Sequence, residues 1–500
     1  MSLPKKLSDA RTANLFAAAL IFIFSVITIT ICSKSSPLYP MNNWDDANCF
    51  FTVGKAVGNG EVMYRDIFEQ KGPVLYFLHT IAYFISRDSF LGVYFIEIAA
   101  CFGFLFVSYK ITELFEGRKS ILFIPILGAL IYSSKAFEQG DSVEELCLPL
   151  FTLSLYIGVK AVMNKKTPDK LGWFIIGVCS AAVLWIKFSM LGFYIGFGFF
   201  MLFLYLREKK FSQLFKSIGF LLLGIAAMTA PVAIYFIVTG AFRELFEVYF
   251  YDNLFLYSIS DESGFALSFV GNLGWGYLSF REFFDIAFWL IIAGAVYAFI
   301  ASKRLLGFYI TTVLSTFFFA FSGGRTYPYY SLLMAVFTPF GAALVCRILK
   351  KPLSHIRKTA LRAVTVSASF AVSLAIILSL SPNTYMMKYK KDDLPQYKFA
   401  AIASESDNPT LLNYDFLDGG FYTASGIVPN CRFFCGLNLP YDEIKSTQKR
   451  FIREKKTEYI VTIDKKFSFD GYDCVGKEVF ETRKDCYSTY YFYKLRASSR

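Results

Sequence analysis

Residues 13–33, ANLFAAALIFIFSVITITICS, decide what kind of protein this is. The run holds no charged side chain. At 1.5 Å of rise per residue it is long enough to cross the ~30 Å hydrocarbon core of a bilayer. It is also too long for the apolar core of a secretory signal, and no small-x-small cleavage site follows, so it reads as an anchor. Further apolar runs lie near 90–109, 120–134, 142–160, 171–186, 190–206, 217–239, 283–301, 305–322, 329–346 and 363–381. Together they predict about eleven transmembrane helices. Composition agrees: of 500 residues 55% are hydrophobic and only 18% charged, against roughly a quarter charged in a soluble domain.

Orientation follows from where the basic residues fall. With a cytosolic N-terminus, the inner segments carry Lys5, Lys6 and Arg11, then Lys110, Arg118 and Lys119, then Lys160, Lys165, Lys166 and Lys170. Arg207, Lys209, Lys210 and Lys216, then Lys303 and Arg304, and finally Arg347 to Arg362 complete the inner set. The outer loops before residue 382 are much poorer in Lys and Arg. The net charge of +12 is therefore a topology signal. A nucleic-acid partner is not expected, because the charge is divided among short loops. An odd number of spans leaves residues 382–500 outside. The expected architecture is an all-α polytopic membrane domain, residues 1–381, followed by a small C-terminal extracytoplasmic α/β domain, residues 382–500. In that second domain Thr410–Tyr414, Tyr459–Ile463 and Tyr487–Leu495 read as strands, and Tyr441–Lys456 as a helix.

Cysteines and histidines limit the chemistry. Cys431, Cys435, Cys474 and Cys486 sit in the external domain, where disulfides persist. Three pairings are open, and the local one, Cys431–Cys435 with Cys474–Cys486, is expected. His79 and His355 are the only histidines and fall on opposite sides of the membrane, which argues against a His-rich metal centre or a Ser-His-Asp triad.

The long first outer loop, 34–89, is where function is expected. From Trp44 it reads WDDANCFFTVGKAVGNGEVMYRDIFEQKGPVLYFLH. Ala47, Phe50, Phe51, Val53, Gly54 and Val57 recur at helical spacing and predict an amphipathic helix in the membrane interface, ended by Gly58-Asn59-Gly60. Pro73 opens a second short helix through Ile85. Asp45, Asp46, Asp66, Glu69 and Lys71 are then held at the outer surface. Asp45-Asp46 also suits a plain helix N-terminus. Other charges collect at the same level. KAFEQGDSVEE, 135–145, brings Glu138, Asp141, Glu144 and Glu145 to the mouth of the fourth span; Lys187 separates the fifth and sixth; Arg325 follows two glycines in SGGRTYPYY, 322–330. Charge at membrane depth marks function by default. Carboxylates can serve a hydroxyl as general base, while Lys and Arg can hold a phosphate as it leaves. Lys187 has a plainer role open to it as the ion-pair partner of Glu144 or Glu145. The chain has no P-loop and no Rossmann glycine fingerprint.

An Asp-Asp pair opening a long first outer loop, followed by G-x₃-Y-x-D (Gly60, Tyr64, Asp66) and K-G-P (Lys71, Gly72, Pro73), resembles the GT-C superfamily of membrane glycosyltransferases. The similarity is greatest to its bacterial Rgt-type and aminoarabinose-transferase-like branch, which also resembles protein O-mannosyltransferases. Two positions depart from that pattern: Asp46 stands where Glu is commoner, and Tyr329 where relatives often have His. The resemblance implies inverting sugar transfer from a polyprenyl-phosphate donor to an extracytoplasmic glycan, lipid or protein acceptor. It places the catalytic base in the first acidic pair, with Asp46 favoured over Asp45. Asp66, Glu144 and Glu145 are assigned to acceptor or metal support, and Lys187, Arg325 and Lys71 to the donor phosphate. The resemblance implies no definite cofactor and leaves a divalent metal open, which would fall to Asp46 and Asp66. Two rival classes share the multi-span pattern. A flippase or transporter should show paired halves or helices broken at the midplane. A polysaccharide polymerase or ligase would more typically rely on one large late outer loop.

Overall fold

The computed structural model describes residues 3–256, 265–350, 359–437 and 441–497. The chain is a multi-pass membrane protein: among the described residues, eight helices are long and apolar enough to cross a bilayer. The first is the apolar part of α1 (Leu3–Cys32). After α2 (Asp45–Gly58) and α3 (Pro73–Ile85) come α4 (Leu91–Glu116), α5 (Ile124–Tyr132) and α6 (Val143–Met163). Then follow α7 (Lys170–Lys187), α8 (Gly192–Arg207) and α9 (Phe211–Val238), and the helices Phe265–Ala301, Lys303–Phe321, Thr338–Ile348 and Thr359–Leu380.

The expected spans differ from these in five places, one being the expected span 329–346, which is a 3₁₀ helix, Pro328–Phe337, running into Thr338–Ile348. The stretch 170–207 is helical almost throughout, but Lys187 takes an extended backbone (φ −160°, ψ 97°) that separates α7 from α8, so it holds both spans expected there. The expected span 120–134 is a 3₁₀ helix, Arg118–Phe123, leading into the short α5, whose first turn holds Pro125, a residue suited to a helix start. Phe265–Ala301 starts well before residue 283 and kinks at Phe284. The apolar part of the last helix, Val364–Leu380, is shorter than the other spans. Between α9 and Phe265 the chain winds as a π-helix, Leu245–Leu256, a form frequent at functional sites. His355, with Lys351, Arg357 and Lys358, lies outside the described residues.

Small residues let the helices pack closely, as lipid-embedded helices require. A Cβ on Gly177 of α7 would meet the Leu221 carbonyl oxygen of α9 at 2.2 Å, and one on Gly224 the Phe174 oxygen at 2.1 Å. On the far side α9 exposes Phe215, Leu222, Leu223, Ile234 and Ile237, an apolar face suited to lipid.

The first loop forms the two helices its sequence predicts, but α2 does not lie in the membrane interface. It is buried between α3 and the C-terminal domain over Ala47–Ala56. Its polar side is satisfied by that domain: Thr52 donates to Asp418 (2.6 Å), Lys55 to the Tyr422 carbonyl (2.6 Å), and Thr423 to Asn48 (3.1 Å). α3 keeps Ile81, Phe84 and Ile85 exposed and is the helix able to meet lipid.

The C-terminal residues build a four-stranded mixed sheet in the order β1-β2-β4-β3. β1 (Leu411–Asn413) runs parallel to β2 (Tyr459–Ile463); β4 (Cys486–Leu495) is antiparallel to both β2 and β3 (Tyr472–Arg483). The helix Asp442–Arg453 makes the parallel connection, and its Gln448 amide donates to the Asn413 and Phe433 carbonyls. Phe399 stacks on Phe492 (4.6 Å between centroids) and Phe492 on Tyr459 (5.1 Å) to form the core.

The expected cysteine pairing is not found; all the cysteines are thiols. Cys474 pairs with Tyr493 across the sheet and Cys486 with Arg483, so the two stand at opposite ends of the β3–β4 ladder, too far apart to bond. Cys435 instead faces Cys49 of α2, with 3.9 Å between sulfurs.

Candidate active site

Asp45 and Asp46 form the first turn of α2, where carboxylates favour the helix dipole. They do not cap the helix: the N-cap is Trp44, and no side chain bonds the first amides. Both carboxylates instead line a cavity of about 280 Å³ shared by the first loop, the second loop, the Tyr327–Tyr329 segment and the C-terminal domain. Glu69, Glu138, Lys71 and Arg483 also face it, as does the Trp44 ring. The Tyr329 hydroxyl donates to Asp46 Oδ2 (3.2 Å), and Trp44 meets the Tyr329 ring edge-on at 5.4 Å. No described side chain hydrogen-bonds Asp45. Burial, with the neighbouring Asp46 and Asp418 charges adding to it, pushes its carboxyl up to about 7 against the opposing pull of Arg483. Burial also raises Glu69 and Glu138. Glu69 accepts from the Tyr76 hydroxyl and the Lys71 amide, and its carboxylate is 3.8 Å from Lys71 Nζ.

A second cavity, about 140 Å³, adjoins the first and shares Gln70 and Lys71 with it. Its cations are Lys71, Lys187 and Arg325, and Tyr330 stands beside them. Leu254 and Phe319, also on its wall, are 50% and 37% exposed, so an apolar part of this wall reaches the protein surface. Gly72 lets the loop press against the break after α7: a Cβ there would stand 2.0 Å from the Trp185 carbonyl oxygen. The Gly72 amide donates to the Ile186 oxygen (3.1 Å), which ties Lys71 to the segment that ends in Lys187. Lys187 is held from two sides. Its ammonium donates to Glu144 Oε1 (2.6 Å) and lies 3.9 Å from the centre of the Tyr330 ring. The plainer reading of Lys187 as an ion-pair partner is thus realised, and the same side chain still faces the cavity.

The structure therefore brings together Asp45, Asp46, Lys71, Lys187 and Arg325 along one two-chambered path. Three expected site residues stand elsewhere. Asp66 is tied into its own turn by Arg65 (2.9 Å) and the Val62 amide (2.9 Å) and lines neither cavity. Among the described residues, no group of three His, Cys, Asp or Glu side chains is placed to hold a metal ion. Glu144 is taken up by Lys187. Glu145 accepts from the Asp141 amide (3.1 Å) inside a buried network. In it Glu97 accepts from Asp141 N (2.8 Å) and Ser33 Oγ (2.9 Å), and Asp141 pairs with His79 (3.0 Å). That network fixes the second loop, whose Glu138 sits in the left-handed region at φ 56°.

Two cavity residues, Gln70 and Arg483, and one residue of the supporting network, Glu97, escaped sequence reading. Glu97, which anchors the network, is a lone carboxylate inside an apolar span, a signal open to view. Gln70 lines both chambers, and its side-chain Oε1 is buried without a hydrogen bond among the described residues, leaving an acceptor open at the join. Arg483 comes from β3, and nothing local in its sequence marks it.

No protein-family model matches the chain, and no curated protein sequence matches it. Among solved structures it is similar to the aminoarabinose transferase ArnT of Cupriavidus metallidurans. The structure bound to undecaprenyl phosphate aligns at 11% identity with a TM-score of 0.59, covering 94% of this chain and 97% of that one. The apo structure aligns at 10% identity and 0.61, covering 96% and 98%. The archaeal oligosaccharyltransferase AglB of Archaeoglobus fulgidus, solved with an inhibitory peptide and a dolichol-phosphate, aligns at 11% identity and 0.50 over 89% of this chain and 69% of that one. The chain has the GT-C fold.

Proposed function

We propose that this protein transfers a sugar from a polyprenyl-phosphate donor to an acceptor hydroxyl outside the cytosol. The observation that carries the reading is the join at Gln70-Lys71 between an acid-lined chamber and a cation-lined chamber with exposed apolar side chains on its wall. The solved ArnT holds undecaprenyl phosphate and AglB a dolichol-phosphate, which supports a lipid-phosphate donor here. The isoprenoid chain would enter beside Leu254 and Phe319, and Lys187, Arg325 and Lys71 would hold the phosphate. Sugar and acceptor would meet in the acidic chamber. The acceptor oxygen loses its proton to a carboxylate and bonds to the anomeric carbon as the carbon–phosphate oxygen bond breaks, inverting that carbon. The leaving phosphate's charge is taken up by the three cations.

The acidic pair divides its work differently from the sequence reading, which favours Asp46. Asp46 is held by the Tyr329 hydroxyl, whereas Asp45 has no such partner and a carboxyl near 7, where a general base works best at neutral pH. We assign the base to Asp45 and acceptor orientation to Asp46. The rate then rises with pH through about 7 as Asp45 loses its proton, and levels above it. In Asp46→Asn the neighbouring negative charge is gone, so the same inflection moves to lower pH. A pH–rate profile of the two proteins checks this; an unmoved inflection contradicts it.

The proposed topology puts the N-terminus in the cytosol and residues 382–500 outside a bacterial plasma membrane, following the basic-residue asymmetry. Cys474 and Cys486 are exposed and the other cysteines buried, so a membrane-impermeant thiol reagent added to intact cells should label those two. Labelling only after the cells are opened would reverse the orientation. Lipid that co-purifies with the protein tests the donor class: native mass spectrometry should find a polyprenyl phosphate or its glycoside, lost from Arg325→Ala.

A further inference from the structure

The C-terminal domain is joined to the membrane domain more expensively than a tail needs to be. Lys34, just after α1, is 1% exposed, and burial pulls its ammonium down to about 7. It donates to Asn43 Oδ1 (2.8 Å), Gln139 Oε1 (2.7 Å) and the Tyr385 hydroxyl (3.1 Å). Asn43 and Tyr385 in turn both donate to the carbonyl of Thr482, at 3.1 and 2.8 Å. One residue earlier, Glu481 accepts from Lys388 (2.8 Å), Tyr389 (2.6 Å) and the Asp485 amide (2.9 Å). A buried lysine is costly and is retained where it fixes a geometry. The geometry fixed here is the end of β3, and the next residue is Arg483, which faces the acidic chamber.

Arg483 is held by its backbone while its side chain remains available. It is 61% exposed, and its ion pair to Glu138 is 4.0 Å long, beyond hydrogen-bond reach. The two groups face the same cavity. A guanidinium only donates and a carboxylate only accepts, whereas each sugar hydroxyl does both. A pair spaced in this way complements neighbouring hydroxyls of one ring. The same chamber offers flat apolar surfaces for the C–H face of a pyranose: the Trp44 ring, and Tyr327 stacked on Tyr329 (5.4 Å, 3° between planes).

We propose that the C-terminal domain forms the acceptor wall of the site, and that Arg483 and Glu138 bind hydroxyls of a saccharide acceptor. The inference rests on the transfer reading above, which makes the occupant of this chamber the acceptor. It narrows that occupant from glycan, lipid or protein to glycan.

Binding can be measured without turnover. The full chain, in a detergent free of sugar, is titrated with neutral disaccharides (cellobiose, mannobiose and diacetylchitobiose), followed by saturation-transfer NMR and by tryptophan fluorescence. At least one disaccharide should bind. Arg483→Ala and Glu138→Gln should each weaken it about tenfold, the scale of a lost hydrogen bond to a charged group, with Arg483→Lys in between. Undecaprenyl phosphate binding should be unchanged in all three, which also shows that they fold. No binding by any disaccharide, or equal binding by Arg483→Ala, overturns the proposal. Those outcomes leave the transfer reading standing, whereas full transfer activity in Asp45→Asn would sink that reading without touching saccharide binding.

Discussion

Asp45→Asn should lower kcat by about 10²-fold or more while donor binding survives, since a positioned base contributes about that much. Asparagine keeps the size of the side chain and removes only its ability to take the acceptor proton. The loss should therefore fall on kcat, not on the Michaelis constant of the donor, whose phosphate is held in the other chamber. Asp46→Asn should cost less, because Asp46 orients through its bond to Tyr329. Steady-state kinetics of the two variants decide the assignment: a larger loss in Asp46→Asn returns the base to Asp46.

Lys187→Ala should unfold more readily than wild type by about 3–5 kcal/mol, because it strands a buried carboxylate. Glu144 is 1% exposed, its Oε1 is bonded to Lys187, and its other oxygen is buried without a hydrogen bond among the described residues. Adding Glu144→Gln removes the stranded charge, so the double variant should recover much of the lost stability. It should not recover donor affinity, because the cation is still missing from the phosphate chamber. Arg325→Ala reads the donor chamber a second time: donor affinity should fall there too. Thermal unfolding in detergent, set beside donor titration, separates the two roles of Lys187. A double variant that regains both would leave Lys187 a structural residue alone.

What the sequence disclosed about this site was local, and what it hid was distant. The bounds of α2 and α3 could be read because Gly58-Asn59-Gly60 and Pro73 punctuate an otherwise regular apolar pattern. The same amphipathic pattern misled about surroundings, since a half-polar helix suits a membrane surface or a polar protein partner equally well. Only the fold shows that Asn48, Thr52 and Lys55 meet Thr423, Asp418 and Tyr422. The cysteine pairing failed similarly, because spacing suggested a Cys474–Cys486 bond that the β3–β4 register forbids, and Cys435 faces Cys49 instead. β3 itself went unread, since its exposed positions are interrupted by Gly476 and carry mixed charge. Arg483 reaches the chamber through a contact between Asn43 and Thr482, 439 residues apart, and no periodicity can anticipate that. Glu97 is the opposite case: a carboxylate in the middle of α4 was visible as an anomaly, and its partners were not.

The central claim is that the two chambers serve one transfer from lipid phosphate. The most direct measurement incubates the reconstituted full chain with a polyprenyl-phosphate glycoside extracted from its own host membranes and follows the lipid by mass spectrometry. The account predicts conversion of the glycoside to free polyprenyl phosphate when acceptor extract is added, and bound but unconverted glycoside in Asp45→Asn. Glycoside that moves across the bilayer or stays bound without ever losing its sugar in the wild-type protein would contradict it.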